Sequence, residues 1–167
     1  MLFRSRNIMY LWLLLGALLS LALVAIIALI QPYRLTENDR TDAVREVIAW
    51  IMQGKTIPGF EEPYPDSRWI PMAKRFIIVC DSIPMNIQLT GDSRVQRVSK
   101  ADIESIFKVH DFEKTFYVVV EPMGDDTYAT SLKVSIAFGL VGGHECHFTF
   151  RKRLWGLTAE GKLVSVS

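Results

Sequence analysis

The chain has 167 residues, half of them hydrophobic, with 19 basic against 18 acidic side chains and a net charge of +1. Arg4 and Arg6 precede the longest apolar run and no acid does, so the remainder is close to neutral. That balance excludes the basic excess by which a nucleic-acid-binding domain declares itself, and the remainder is the size of one ordinary domain.

A short basic tail, residues 1–7, leads into residues 8–30, 23 positions without a charge. As a helix this run rises about 34 Å, enough to cross a hydrocarbon core of about 30 Å with some tilt. Lipid offers no partner to backbone amides, so a helix is forced there. Tyr10 and Trp12 suit one interface and Tyr33 the other, and Gln31-Pro32 ends the run. A cleaved signal peptide is the competing reading, with Ser20-Leu21-Ala22 as its cleavage site. The apolar stretch outruns a signal core of about 7–15 residues, so an uncleaved single-pass anchor is expected. Arg34, Arg40 and Arg45 follow the span, so the positive-inside count does not orient it. A short basic tail before a whole domain favours a cytoplasmic tail, with residues 34–167 on the extracytoplasmic side, the periplasm of a Gram-negative source. Gly16 and Ser20 form a small-xxx-small pair through which two anchors, and so a homodimer, could pack.

Residues 36–53 read as an amphipathic helix. Thr36 and Asp39 resemble a capping box, Val44, Val47, Ile48 and Ile51 share one stripe, and Gly54 supplies the stop. Residues 55–74 hold Pro58, Pro63, Pro65 and Pro71 among Phe60, Tyr64 and Trp69. This is a long loop that either covers a core edge or binds a partner. Residues 75–81 predict a buried strand, with weaker strands at 85–89 and 94–98. A short second helix starts at Ser99, with Asp102 in its first turn and Ile103, Ile106 and Phe107 inward, and ends near His110.

From Thr115 the chain predicts β-structure. A strand at 115–123 is followed by a Gly124-Asp125-Asp126 turn. Leu132, Val134, Ile136 and Phe138 alternate with polar or small residues, as do Cys146, Phe148 and Phe150. A Val141-Gly142-Gly143 loop, with Gly143 left-handed, pairs Phe138 with Cys146, Ile136 with Phe148 and Val134 with Phe150. That puts apolar opposite apolar. A last hairpin through Ala159-Glu160-Gly161 returns 162–166 along the sheet. Cys80 and Cys146 lie in apolar runs and are expected as buried thiols, with one disulfide between them as the alternative in an oxidising compartment.

The expected architecture is α+β: one transmembrane helix, then a curved antiparallel sheet packed on one long and one short helix. This order resembles the cystatin-like cone of the nuclear-transport-factor-like superfamily, which includes ketosteroid isomerase and SnoaL-type proteins. The resemblance is carried by residues 45–52, 76–80, 117–120, 132–138, 146–150 and 163–166. It rests on element order, the Pro-rich insertion departs from it, and a ferredoxin-like or other open α+β sheet is the alternative. Enzymes of that superfamily place Asp, His, Tyr or Arg inside the cone, whereas the inward positions here, Val134, Ile136, Phe138, Phe148 and Phe150, are apolar and offer no general base. Asp81, His110 and Tyr117 are the candidates for the mouth of such a pocket.

His144-Glu145-Cys146-His147 is the most metal-like cluster. On a strand it points its ligands to both faces and supplies at most two to either, so no metal site is expected. No nucleophile elbow, P-loop or dinucleotide fingerprint occurs, and no cofactor is called for. In the predicted register Lys133 lies opposite Arg151, and with Lys152 and Arg153 makes a basic patch for anionic headgroups or an acidic partner. Taken together, these features predict a non-enzymatic membrane protein that binds other membrane or envelope proteins. In outline it resembles the inner-membrane assembly components of type IV secretion systems. The alternative is a membrane-attached enzyme or small-ligand receptor using the cone interior.

Overall fold

The computed structural model describes residues 2–55, 70–103, 105, 114–138 and 141–166. The apolar run lies within helix α1, Leu2–Ile30. Its stretch Trp12–Ile30, with a mean hydropathy of 3.0, is long and apolar enough to cross a membrane, and none of it is buried against the protein. A helix that is apolar on every side and covered on none is suited to lipid, which solvates such a surface.

Helix α2, Glu37–Gln53, forms where the periodicity predicts it. The Thr36 N–H donates to Asp39 Oδ2 at 2.7 Å, and the Asp39 N–H donates to Thr36 Oγ1 at 3.3 Å. This reciprocal capping box satisfies two otherwise orphaned donors. Gly54, at φ 58°, closes the helix in the left-handed region. Val44, Val47, Ile48 and Ile51 are buried.

Six strands complete the described chain: β1 Arg75–Val79, β2 Val95–Val98, β3 Thr115–Asp125, β4 Ala129–Phe138, β5 Val141–Arg153 and β6 Gly156–Val166. They form one sheet in the order β2-β1-β3-β4-β5-β6. The α+β class holds, but the sheet is mixed where an antiparallel one is expected, because β1 runs parallel to both β2 and β3. Parallel neighbours require crossovers. The β1–β2 connection passes on the α2 side, where Ile83 and Leu89 join the main core and Arg45 Nε donates to the Gln88 carbonyl at 3.2 Å. On the other side, Ile103 packs against Ile77, Val79, Val98 and Tyr117. β1 is therefore buried on both faces, which explains its unbroken apolar sequence.

Residues 85–89 are not a strand. Instead the Arg97 guanidinium gathers the connection, donating to the carbonyls of Pro84 at 2.7 Å, Ile87 at 3.1 Å, Cys80 at 2.6 Å and Ile83. Ser99 caps a 3-10 turn, Lys100–Asp102, and Ile103 and Ser105 after it are helical. Ile106, Phe107 and His110 of the expected second helix lie outside the described residues, as do Phe60, Tyr64 and Trp69 of the Pro-rich loop.

β3 to β6 form an antiparallel meander. Along β4, Leu132, Val134 and Ile136 point into the core, matching the predicted alternation. The β4–β5 register differs from the expected one: Val134 pairs with Cys146, Ile136 with His144 and Ala137 with Gly143. Gly143 is thus a ladder residue, opposite Ala137. A shift of four positions preserves which face each side chain occupies, so alternation alone does not distinguish the two registers.

Two turns also move. β3 continues through Gly124 and Asp125, bulging after Pro122, and the chain reverses at Asp126, whose carboxylate accepts from the Tyr128 and Ala129 amides at 2.5 Å each. The last hairpin turns at Leu154-Trp155, with Gly156 at φ 120°, leaving Ala159, Glu160 and Gly161 within β6 opposite Phe150, Thr149 and Phe148. Longer pairings give ladder partners to amides that a shorter hairpin would leave to water. Aromatic contacts lock α2 to the sheet, Trp50 stacking on Phe150 with centroids 5.9 Å apart. Cys80 and Cys146 are buried free thiols.

Candidate functional site

Strand alternation divides the sheet's side chains between two surfaces. The surface under α2 is packed with Phe76, Phe116, Val134, Phe148 and Phe150. Asp81 and Tyr117 project from the opposite surface, Tyr117 level with Ile77 in the register. They therefore do not converge on an interior between α2 and the sheet. They line two neighbouring open hollows that share Val119, one of about 510 Å³ and one of about 260 Å³. His110 lies outside the described residues.

The larger hollow is lined by Asp81, Lys100, Glu121 and Lys133, and its charges are already engaged. Asp81 accepts from the Lys100 backbone N–H at 3.2 and 3.3 Å, so it helps to fix the 3-10 turn. Glu121 takes Lys100 on one oxygen at 2.5 Å and Lys133 on the other at 2.9 Å. Hydrogen bonds from Lys100 and Lys133 hold the Glu121 carboxyl below its usual range, outweighing burial. A carboxylate so depressed is a poor proton acceptor near neutral pH. The charge pattern continues across the strands, with Glu145 Oε2 at 4.0 Å from Lys133 and Oε1 at 3.2 Å from His147 Nε2. Lys100, Glu121, Lys133 and Glu145 thus alternate in sign across this surface.

In the smaller hollow, Tyr117 stands with Ser135, His144 and Glu145. Burial pushes its phenol up from the usual value, against the field of Arg75. Among the described residues no group of three His, Cys, Asp or Glu is placed to hold a metal ion. Glu145 turns to His147, while Cys146 is buried.

The expected basic patch separates into different environments. Lys133 lies opposite His147 and pairs with Glu121, so its expected opposition to Arg151 does not occur. Arg151 sits 3.7 Å from Glu160 in solvent. Lys152 Nζ donates to Asp39 Oδ2 at 2.8 Å, tying β5 to α2. Arg153 reaches the other way and donates to the carbonyl of Ile30 at the end of α1. On α1 itself, Gly16 is open to its surroundings and the Ser20 hydroxyl donates back to its carbonyl at 2.9 Å.

Two surfaces escape the sequence reading. One is the outer edge of β6, an 11-residue strand that stands last in the sheet. Its Leu163 and Val164 are exposed, and the register skips Val164 between Leu163 and Ser165. The other is the β5–β6 turn, where Leu154 is 50% and Trp155 82% exposed. Its sequence signal is a Leu-Trp-Gly triplet directly after Arg151-Lys152-Arg153. No protein-family profile, curated protein or solved structure matches the chain.

Proposed function

We propose that this chain is a single-pass membrane protein whose sheet domain lies on the extracytoplasmic side and binds other membrane or envelope proteins through the open edge of β6. The observation that carries the binding part is that edge. Among the described residues Gly156–Val166 has no strand on the side away from β5, and its Leu163 and Val164 are exposed. Such an edge is a template for a partner's strand unless it is blunted, and strand addition is a recurring way of binding extended segments. A tether raises the effective concentration of partners in the same bilayer, so a modest contact suffices.

The likeness to cystatin-like domains, and in outline to secretion-assembly components, belongs to this proposal. It is supported by α2 lying across the β3–β6 meander. The enzyme or ligand-receptor reading has less support, because Asp81 and Tyr117 face away from the packed α2 side.

The test is a photoreactive residue at Leu163 of the full chain in intact membranes, with Tyr128 as an exposed control position. The proposal expects a discrete protein adduct from position 163, absent from position 128 and lost when Val164→Lys places a charge on the edge. Adducts equal at both positions, or unchanged by Val164→Lys, would contradict it. A second copy of the chain as the adduct would identify a homodimer as the partner.

A further inference from the structure

The end of α1 and one end of the sheet are joined at several points. Arg153 donates to the Ile30 carbonyl, the Tyr33 N–H donates to the Lys152 carbonyl at 2.9 Å, and the Leu35 N–H donates to the Thr127 carbonyl at 2.9 Å. Helix C-termini leave their last carbonyls without intrahelical partners and favour a nearby cation. α1 has no basic residue in its own last turn, so the β5–β6 hairpin supplies one. The Tyr33 hydroxyl closes another of these carbonyls, that of Ala28, at 3.2 Å. Leu29, Ile30, Arg153, Trp155 and Leu157 line a common hollow of about 400 Å³.

These bonds fix which part of the domain meets the bilayer. If α1 crosses it, the Ile30 carbonyl stands at the boundary of the hydrocarbon, since Trp12–Ile30 rises about 28 Å against a core of about 30 Å. Arg153 flanks the β5–β6 turn and its side chain reaches that carbonyl, and Leu29, Ile30 and Trp155 line one hollow, so the turn lies within a side chain's length of that depth. The tip of that turn is Leu154-Trp155, two apolar side chains left exposed by the protein. Tyr128, also exposed, sits at the β3–β4 turn beside Leu35, at the same end of the sheet. Trp and Tyr are enriched at this level of a membrane, where an apolar ring and a polar N–H or O–H are both satisfied.

We infer that the β5–β6 turn is a second membrane contact: Leu154 and Trp155 enter the headgroup–acyl boundary beside the end of α1 and hold the sheet at a fixed angle to the bilayer. The occupant of this surface is the lipid of the membrane that α1 crosses, so the inference rests on the membrane-spanning reading of α1. The contact presents the β6 edge, which starts at the turn, outward from the membrane surface along its length.

The full chain in vesicles, with lipids brominated near the glycerol or near the acyl chain end, tests this. Each tryptophan is assigned by the emission lost on its Trp→Phe substitution in the otherwise native chain. Trp155 should be quenched, more by the shallow bromines than by the deep ones. Trp12, in α1, should also be quenched, and Trp50, stacked on Phe150, should not. Quenching of Trp12 without Trp155 overturns the inference and leaves the span standing. Quenching of neither overturns both, and equal quenching of Trp50 and Trp155 overturns the oriented contact. Circular dichroism of each variant excludes misfolding as the source of a changed signal.

Discussion

Arg97 organises more of the chain than its position in a four-residue strand suggests. One guanidinium serves four carbonyls of the β1–β2 connection, so a segment without regular structure still has its polar groups satisfied. Arg97→Ala leaves those acceptors unserved and should destabilise the domain by about 2 kcal/mol. Arg97→Lys, lacking the planar fork, should recover only part of this. Thermal unfolding of the full chain in mild detergent measures both; equal midpoints for wild type and Arg97→Ala would contradict the assigned role. No sequence pattern marks this arginine, because its partners are backbone atoms far along the chain.

Asp39 joins two elements at one carboxylate, capping α2 and accepting from Lys152 of β5. Burial raises its pKa, but hydrogen bonds from Lys152 and Thr36 prevail and hold it below the ordinary value. A carboxyl depressed in the folded state adds stability that is fully present above its unfolded pKa, about 4, and is lost as pH falls through the folded value. Unfolding midpoints should therefore fall on acidification below about pH 4, and Asp39→Asn should make that decline shallower while lowering the midpoint at neutral pH. A parallel offset at every pH would show that the ion pair does not contribute. The capping half of this role is legible from Thr36 and Asp39 alone. The Lys152 half depends on how β5 folds back.

At the scale of elements, periodicity reveals which face each residue occupies but not how far each strand is displaced. The alternation in β4 and β5 separates core from surface, and any even shift preserves it. Turn chemistry places the β4–β5 turn, the β3–β4 turn and the last hairpin at Gly143, Gly124 and Gly161, and in the structure none of these three glycines is a turn residue. Gly124, Gly143 and Gly161 instead lie within strands. Among the described residues, Gly156 is the strand-connecting glycine at positive φ, 120°. A Cβ there meets nothing within 4 Å, so the cost of Gly156→Ala is conformational alone. It should destabilise by roughly 1–2 kcal/mol. Gly91→Ala, equally open and without positive φ, should be neutral or slightly stabilising. Denaturant midpoints of the two variants compare them directly, and equal effects would argue against the turn at Leu154-Trp155. The parallel placement of β1 is not legible in the sequence either, since a strand buried on both faces shows an apolar run and no direction.

For the whole molecule, chain order and geometry point to the same division of labour. An apolar helix with no protein cover leads into a domain whose α2 side is filled with aromatic and aliphatic side chains. On the other side, Glu121 pairs with Lys100 and with Lys133 of the neighbouring strand, and Glu145 pairs with His147 along β5. The proposed binding role asks of such a body only that it be held in place and touched by other proteins. The link between the two parts is short and hydrogen-bonded, through Arg153 and Ile30 and through Tyr33 and Lys152. Anchoring by α1 is the condition on which both the binding role and the second membrane contact depend. Alkaline washing of membranes from cells making the chain, with intact-mass measurement of the protein in each fraction, tests it most directly. The protein should stay in the pellet with residues 8–30 attached; recovery in the wash of a shorter species lacking that run would contradict it.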